Sequence, residues 1–358
     1  MAQKINGRVA FADLLRVFAI LAVIIIHLSG SQMGQVAVTS RAWQVFNMYD
    51  GLAHWCVPVF IMLSGMFMLD NSRPLPLSKL LLHNCLRIVT CLLFWTGVYA
   101  VADYMLSGGG FSWRMLWRSM LSALLGNYHY HLWFMVMILG LYLVTPVLRA
   151  FCRGASRRDF HYFFVLAFFF ASVLPTLFYL FPGSTTVGAI RAWYAWMDVH
   201  PVLGYVGYYV AGYYLLKYTI SRLAEAIIYV LGIIGAIVTV WGTSVISRPA
   251  GGLVDAFYGY SAPNLVFFSV AVVVLFRYVL GVSEERSRRQ RLSGVARLTF
   301  GIYLVHELLI MILRHLGVTT LSFDPVLSVP VLAALIFLCS FGIAWLIAHI
   351  PFLGRWLT

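Results

Sequence analysis

The run Ala10-Phe-Ala-Asp13-Leu-Leu-Arg16-Val-Phe-Ala-Ile-Leu-Ala-Val-Ile-Ile-Ile-His27-Leu-Ser29 decides the class of this chain. Its length, about 30 Å as a helix, matches the hydrocarbon thickness of a bilayer. Asp13, Arg16 and His27 are the ionisable groups within it. Such groups inside an apolar run are costly and mark functional sites by default. Arg16 and His27 lie eleven positions apart, close to three full turns. Both therefore project from one helix face, about 16 Å apart along the axis. A fixed cation at one depth and a titratable imidazole at another suit a long anionic ligand whose reactive end reaches the histidine.

Outward from this run, further apolar runs of spanning length follow near 52–70, 85–106, 132–151, 161–181, 201–216, 224–246, 262–281, 297–315 and 326–348. The expected fold is all-α, a polytopic membrane helix bundle of about ten transmembrane helices. Turn and breaker residues fill the connections, as in Asn71-Ser72-Arg73-Pro74, Ser107-Gly108-Gly109-Gly110 and Arg248-Pro249-Ala250-Gly251-Gly252. With 62% hydrophobic and 10% charged residues and a mean hydropathy of +0.88, a soluble domain could not cover itself with polar surface. No internal repeat or second soluble domain is visible, so residues 1–358 read as a single transmembrane domain with its core at 10–348.

The formal charge of +13 would raise the question of nucleic acid in a soluble protein. Here the basic residues punctuate the ends of apolar runs, which indicates topology and excludes a nucleic-acid partner. Placing both termini in the cytoplasm assigns to that side all of the 25 Lys and Arg except Arg41, Arg114, Arg118, Arg191, Arg248 and Arg314. The basic loop Glu284–Arg291 reads as an anchor beside anionic membrane lipid. The first run carries charges and no A-x-A site follows it, so it is expected to stay as a membrane helix. Cys56, Cys85, Cys91, Cys152 and Cys339 show neither a C-x-x-C nor a zinc spacing and read as packing residues; no metal is expected. Aromatics crowd the non-cytoplasmic loops, among them Trp43, Trp113, Trp117, Trp193, Trp196, Tyr258 and Tyr260. They read as an interfacial belt, as a platform for a glycan acceptor, or as both.

Several constellations could carry chemistry. Arg16 alone would read as a snorkelling interfacial arginine; the face it shares with His27 favours function for both. Asp13 either fixes Arg16 in place or is simply its charge partner. Ser64-Gly65 falls mid-depth in the second span, where small residues permit close helix approach. Pro58 is expected to loosen the backbone before it and to shape a cavity. His54, near the outer face, has an ambiguous role. Arg87, at the cytoplasmic start of the third span, is a second candidate for phosphate recognition and equally a topology anchor. His129 and His131, at i and i+2, would not share a helix face, which argues against a metal pair unless the segment is extended. His131 and Trp133 suit substrate positioning. Tyr303 and His306, three apart in the ninth span, share a face and either line a cavity or satisfy each other.

Together these segments resemble a known family. Arg16-x10-His27, the Phe60-to-Gly65 segment ending Ser-Gly, His131-Leu132-Trp133-Phe134, the Tyr-rich Gly204-to-Gly212 stretch and Gly301-Ile302-Tyr303-Leu304-Val305-His306 look like the acyltransferase 3 family, bacterial membrane O-acyltransferases that modify polysaccharides and lipid-linked glycans. The size is most similar to the family's stand-alone members. The resemblance implies an acetyl-CoA donor, a hydroxyl acceptor on a lipid-linked or polymeric glycan, and a multi-pass protein of the bacterial cytoplasmic (inner) membrane. It carries over Arg16 and His27 as essential, His27 as the catalytic group. The basic cluster usual after the second span is thin here, with Arg73, Lys79, His83 and Arg87.

The expected function is O-acyl transfer, with acyl-CoA phosphates at Arg16 and Arg87 and its pantetheine arm along the first helix. His27 would act as general base or as a covalent acyl carrier; the sequence does not separate the two. Either role needs a neutral imidazole, so activity is expected to fall on acidification. Tyr303 or His306 would orient the acceptor or stabilise an oxyanion. The competing class is a transporter or flippase for an anionic glycolipid; the lack of a repeat or of paired broken helices speaks against it.

Overall fold

A computed structural model describes residues 10–108, 112–197, 204–281, 292–351 and 353–357. Lys4, Arg8 and the basic loop Glu284–Arg291 lie outside the described residues. Among the described residues every regular element is helical and no strand occurs. The helices that carry the argument are α1 (Ala10–Met33), α2 (Arg41–Ala53), α3 (Cys56–Met68), α4 (Leu86–Leu106), α5 (Trp113–Leu124), α6 (Trp133–Gly154), α7 (Arg157–Phe168), α8 (Val206–Lys217), α9 (Arg222–Ile237), α10 (Pro263–Tyr278), α11 (Leu292–His315) and α12 (Pro325–His349).

Helix forms at all ten expected runs, and the protein is an all-α polytopic membrane protein. Eight continuous or near-continuous helical stretches are long and apolar enough to cross a bilayer by themselves. The two exceptions are α10, 16 residues, and α8, 12 residues. At 1.5 Å per residue these reach only about 24 Å and 18 Å.

The chain forms two compact units: Met1–Ser72 with Val147–Ser293, and Arg73–Pro146 with Gly294–Thr358. In the first unit α1 packs on α2, α3 and α10, and α3 packs on α8. The α3–α8 contact is backbone against backbone. A Cβ on Gly65 would fall 1.8 Å from the Tyr209 carbonyl oxygen, and one on Gly212 would fall 1.9 Å from that of Met62. Only glycine permits this approach, which is the close packing expected at Ser64-Gly65.

The second expected run begins earlier than hydropathy alone suggests, at Arg41, where the Ser40 hydroxyl caps α2 by accepting from the Trp43 N–H. The run is then interrupted by a turn at His54–Trp55. Pro58 explains the interruption, because its ring collides with the carbonyl four residues back, that of His54. Trp43 departs from the interfacial belt: it is fully buried, because α2 lies against α1. Trp113, Trp117, Trp193 and Trp196 are exposed, as a belt requires.

In the second unit α4 packs against α5 and against the C-terminal helix Leu353–Leu357. Cys91 Sγ donates to the Trp356 carbonyl at 2.7 Å, and Trp95 Nε1 donates to that of Leu357 at 3.3 Å. Tyr99 ties α4 to α11: its hydroxyl donates to the Leu304 carbonyl at 2.8 Å and accepts from the Leu308 N–H at 3.2 Å. It thus sits between the two backbone groups of one helical turn, beside His306 and Glu307.

Candidate functional site

In the first unit, α1 is unbroken from Ala10 to Met33, so Arg16 and His27 do share one continuous helix. Asp13 is fully buried in the first turn, where the positive end of the helix dipole favours an anion. Arg16 Nη1 donates to Asp13 Oδ1 at 3.0 Å, and its guanidinium lies over the Phe67 ring of α3 at 4.8 Å. The arginine is therefore oriented on two sides, and Asp13 fixes it. His27 is half-buried near the other end of the helix. Two residues on, Ser29 is fully buried, and among the described residues its hydroxyl finds no hydrogen-bond partner. Ser64, half-buried, lies on α3 beside the tight α3–α8 contact.

One turn beyond His27 on the same face is Gly30, where an added Cβ would meet the Asp50 carboxylate, 3.1 Å away. The other carboxylate oxygen of Asp50 accepts from His54 Nδ1 at 2.7 Å. The Pro58 break places His54 at the end of α2 for this contact, and the ring stacks between Tyr258 and Tyr260 at 4.5 and 5.2 Å. Asp50 selects the tautomer with the proton on Nδ1, so the lone pair lies on Nε2. An oriented imidazole backed by a buried carboxylate is the arrangement that general bases use. Tyr258 is held in turn by Asn47, its hydroxyl donating to the side-chain oxygen at 2.7 Å. Burial and the nearby Asp50 carboxylate push the Tyr258 phenol well above its ordinary range, so it remains a neutral donor.

The second unit gathers His131, Tyr303 and His306 with Tyr99 and His129. The chain at His129 is extended (φ −57°, ψ 136°) and Tyr130–Leu132 is a 3₁₀ turn. The two histidines therefore meet, Nδ1 to Nδ1 at 2.9 Å, which an α-helical i, i+2 pair could not do. One of the two nitrogens must carry the proton the other accepts. His129 stacks on Tyr99 at 4.6 Å, and His131, 1% exposed, has the His306 ring 5.5 Å away. Tyr303 does not bond His306 through its hydroxyl. It donates to the His131 carbonyl at 2.6 Å, while His306 Nδ1 bonds the Tyr303 carbonyl at 2.7 Å. Tyr303 thus positions His131. Trp133 follows directly at the start of α6, half-buried. Arg87 lies over Phe300 at 5.6 Å.

Other arginines on the expected cytoplasmic side hold helix ends. Arg149 donates to the Met68 carbonyl at 2.7 Å, Arg277 to that of Tyr218 at 2.9 Å, and Arg157 to that of Thr219. The residues of the site that the sequence reading does not single out are Asp50 and Asn47; an Asp–x3–His spacing ahead of a proline is the available signal for the first. Among the described residues no group of three or more His, Cys, Asp or Glu gathers as metal ligands do.

A family model described as an acyltransferase domain, that of acyltransferase 3, matches residues 9–349. The chain belongs to the acyltransferase 3 family. The match runs through both compact units, so Arg16 and His27 in one and the His131–Tyr303–His306 cluster in the other all fall within it. No curated protein and no solved structure matches the chain. A membrane acyltransferase needs an acyl donor and a group that handles the acceptor's proton. This acyltransferase places a fixed cation, an imidazole and an Asp–His pair along α1 and the end of α2.

Proposed function

We propose that this acyltransferase transfers an acyl group, acetyl before any other, from acyl-CoA to a hydroxyl of a cell-envelope glycan or glycolipid, in the bacterial cytoplasmic membrane with both termini cytoplasmic. The observation that carries the reading is the unbroken α1, which sets an oriented Arg16 and a half-buried His27 about 16 Å apart on one face. Arg16 is suited to an anionic group of the donor, because its guanidinium is a fixed cation whose planar fork matches the geometry of a phosphate, and Asp13 and Phe67 orient it. The pantetheine arm then runs along α1 toward His27.

In the chemical step the acceptor oxygen forms the new C–O bond, the thioester C–S bond breaks, and the hydroxyl proton passes through His27 to the departing thiolate. In the covalent variant a His27 nitrogen forms a C–N bond as the thioester C–S bond breaks, the thiolate taking up the imidazole proton. The acceptor oxygen then forms the C–O bond as the C–N bond breaks, and the hydroxyl proton returns to the ring. His54, oriented by Asp50, is the neighbouring group we assign to proton handling. Incubating purified protein with radiolabelled acetyl-CoA tests the reading against His27→Ala and Arg16→Ala. Label captured or released by the wild type and lost in both variants supports it. Movement of a glycolipid across a vesicle membrane without CoA consumption would replace it with transport.

A further inference from the structure

Two cavities of comparable size differ in kind. One, about 540 Å³ in the first unit, is walled by apolar side chains such as Met48, Ile233, Trp241 and Phe268 and suits lipid tails. The other, about 410 Å³ in the second unit, lies between α4, α5 and the loop before Tyr130. It is lined by Thr96, Asp103, Arg118, Ser122, Asn127 and His129, and its volume falls in the range of small-molecule sites. We propose that this cavity binds a neutral polyhydroxyl ligand, a pyranose unit, with His129, held from behind by His131, as its hydrogen-bonding floor. The proposal rests on the acyl-transfer reading only for naming that unit as part of the acceptor.

Charge and hydrogen bonding select the ligand class. One carboxylate and one guanidinium face the cavity, so neither a polyanion nor a cation meets a wall of opposite sign. The remaining polar groups are hydroxyls, an amide and an imidazole, which bond neutral hydroxyls in both directions. Asn127 Nδ2 donates to Ser122 Oγ at 2.9 Å, which turns its carbonyl oxygen into the acceptor for a ligand. Thr96, 3% exposed, brings a buried polar group to the wall.

The floor is built for a group that both donates and accepts. His129 Nδ1 is engaged with His131 Nδ1, and stacking on Tyr99 fixes the ring plane, so Nε2 is the edge left for a ligand. When His129 holds the shared proton, that Nε2 accepts. When His131 holds it, the His129 Nε2 carries its own proton and donates. A sugar hydroxyl fits either state. The charged and titratable groups around His129 are Asp103 on α4, Arg118 on α5, and His306, Glu307 and Arg314 on α11, with Tyr99 and His131 in contact. Burial lowers the His129 pKa below its ordinary value, with Asp103 opposing and Arg314 adding to the shift, which favours the neutral His129 ring.

Diethylpyrocarbonate modification of His129, read by peptide mass spectrometry on the full-length protein without CoA, tests this. The probes are methyl glucopyranoside and methyl N-acetylglucosaminide, with inorganic phosphate, acetyl-CoA and osmotically matched glycine betaine as comparisons. Saturating glycoside is expected to slow His129 modification about tenfold or more, the effect of about 1.4 kcal/mol of occupancy. Ser122→Trp, on an exposed position, fills the cavity and is expected to abolish the protection without altering thermal unfolding. His27→Ala is expected to keep it. Absence of protection by either glycoside, or equal protection by phosphate or acetyl-CoA, overturns the proposal. Glycoside protection in a protein that transfers no acyl group would break the acyl-transfer reading and leave the cavity assignment standing.

Discussion

The α1–α2 corner and the histidine cluster of the second unit solve the same problem, holding ionisable groups within a membrane protein, in opposite ways. The corner uses carboxylates: Asp13 pairs with the Arg16 guanidinium and Asp50 accepts from the His54 Nδ1–H, each at 3.0 Å or less. The cluster uses imidazoles that bond one another and backbone carbonyls, braced by the hydroxyls of Tyr99 and Tyr303. A carboxylate behind an imidazole fixes its tautomer, which suits a group that must be poised for one proton transfer. A shared proton between two imidazoles leaves the tautomer open, which suits recognition of hydroxyls. The difference also shows in packing: α3 and α8 meet backbone to backbone, whereas α4 and α11 meet through the Tyr99 hydroxyl.

Breaking the corner should have the largest consequence. His27→Ala is expected to lower acyl transfer by about 10²–10⁴-fold, the usual contribution of a general base, in a radiolabelled acetyl-CoA assay. A comparable loss in His131→Gln under the same assay would erase the functional distinction between the two regions. Next comes Gly65→Ala. Its Cβ would overlap the Tyr209 carbonyl, and the helices would have to separate. We expect a loss of about 3 kcal/mol or more, from the range seen for overpacking, seen as a much lower thermal midpoint in detergent. Gly342→Ala, with nothing within 4 Å of the added Cβ, is the control and should be neutral or slightly stabilising.

Asp50→Asn keeps the shape of the corner and removes the anion behind His54. The turnover number should fall about tenfold with little change in KM, since a hydrogen bond to a charged group contributes about 1.5–3 kcal/mol; an unchanged turnover number would make the pair purely structural. In the cluster, Tyr303→Phe removes one neutral hydrogen bond to the His131 carbonyl and should cost about 1 kcal/mol of stability, measurable as a shifted denaturant midpoint. The smallest effect is a pH shift. Because burial lowers the His129 pKa, its diethylpyrocarbonate reactivity should persist on acidification below the half-point of a free histidine, about 6.5. A half-point above that value would mean that Asp103 dominates over burial.

Much of the corner was legible in the chain. Asp13, Arg16 and His27 belong to one helix, so their spacing alone fixes a shared face. The Pro58 effect was legible for the same reason, since a proline's clash is with its own fourth preceding carbonyl. The cluster was less so. Helical geometry separates His129 from His131 and an extended segment does not; the sequence leaves both open, and the extended backbone at His129 brings the two rings together. The neighbourhood of Trp43 reads as a loop with interfacial aromatics; its burial follows from α2 lying on α1.

By itself the sequence determined the all-α membrane class, the positions of ten apolar helical runs and the one-helix arrangement of Arg16 and His27. These depend on hydropathy and on the 3.6-residue period, both properties of consecutive residues. Only the tertiary structure decided that Tyr258 and Tyr260 clasp a histidine some two hundred residues earlier, that Tyr303 spends its hydroxyl on the His131 carbonyl, and that a polar cavity opens over His129. Periodicity tells which face of a helix is covered; the partner that covers it is set by packing between segments far apart in the chain, where many apolar faces are interchangeable and a few glycines and hydroxyls choose among them.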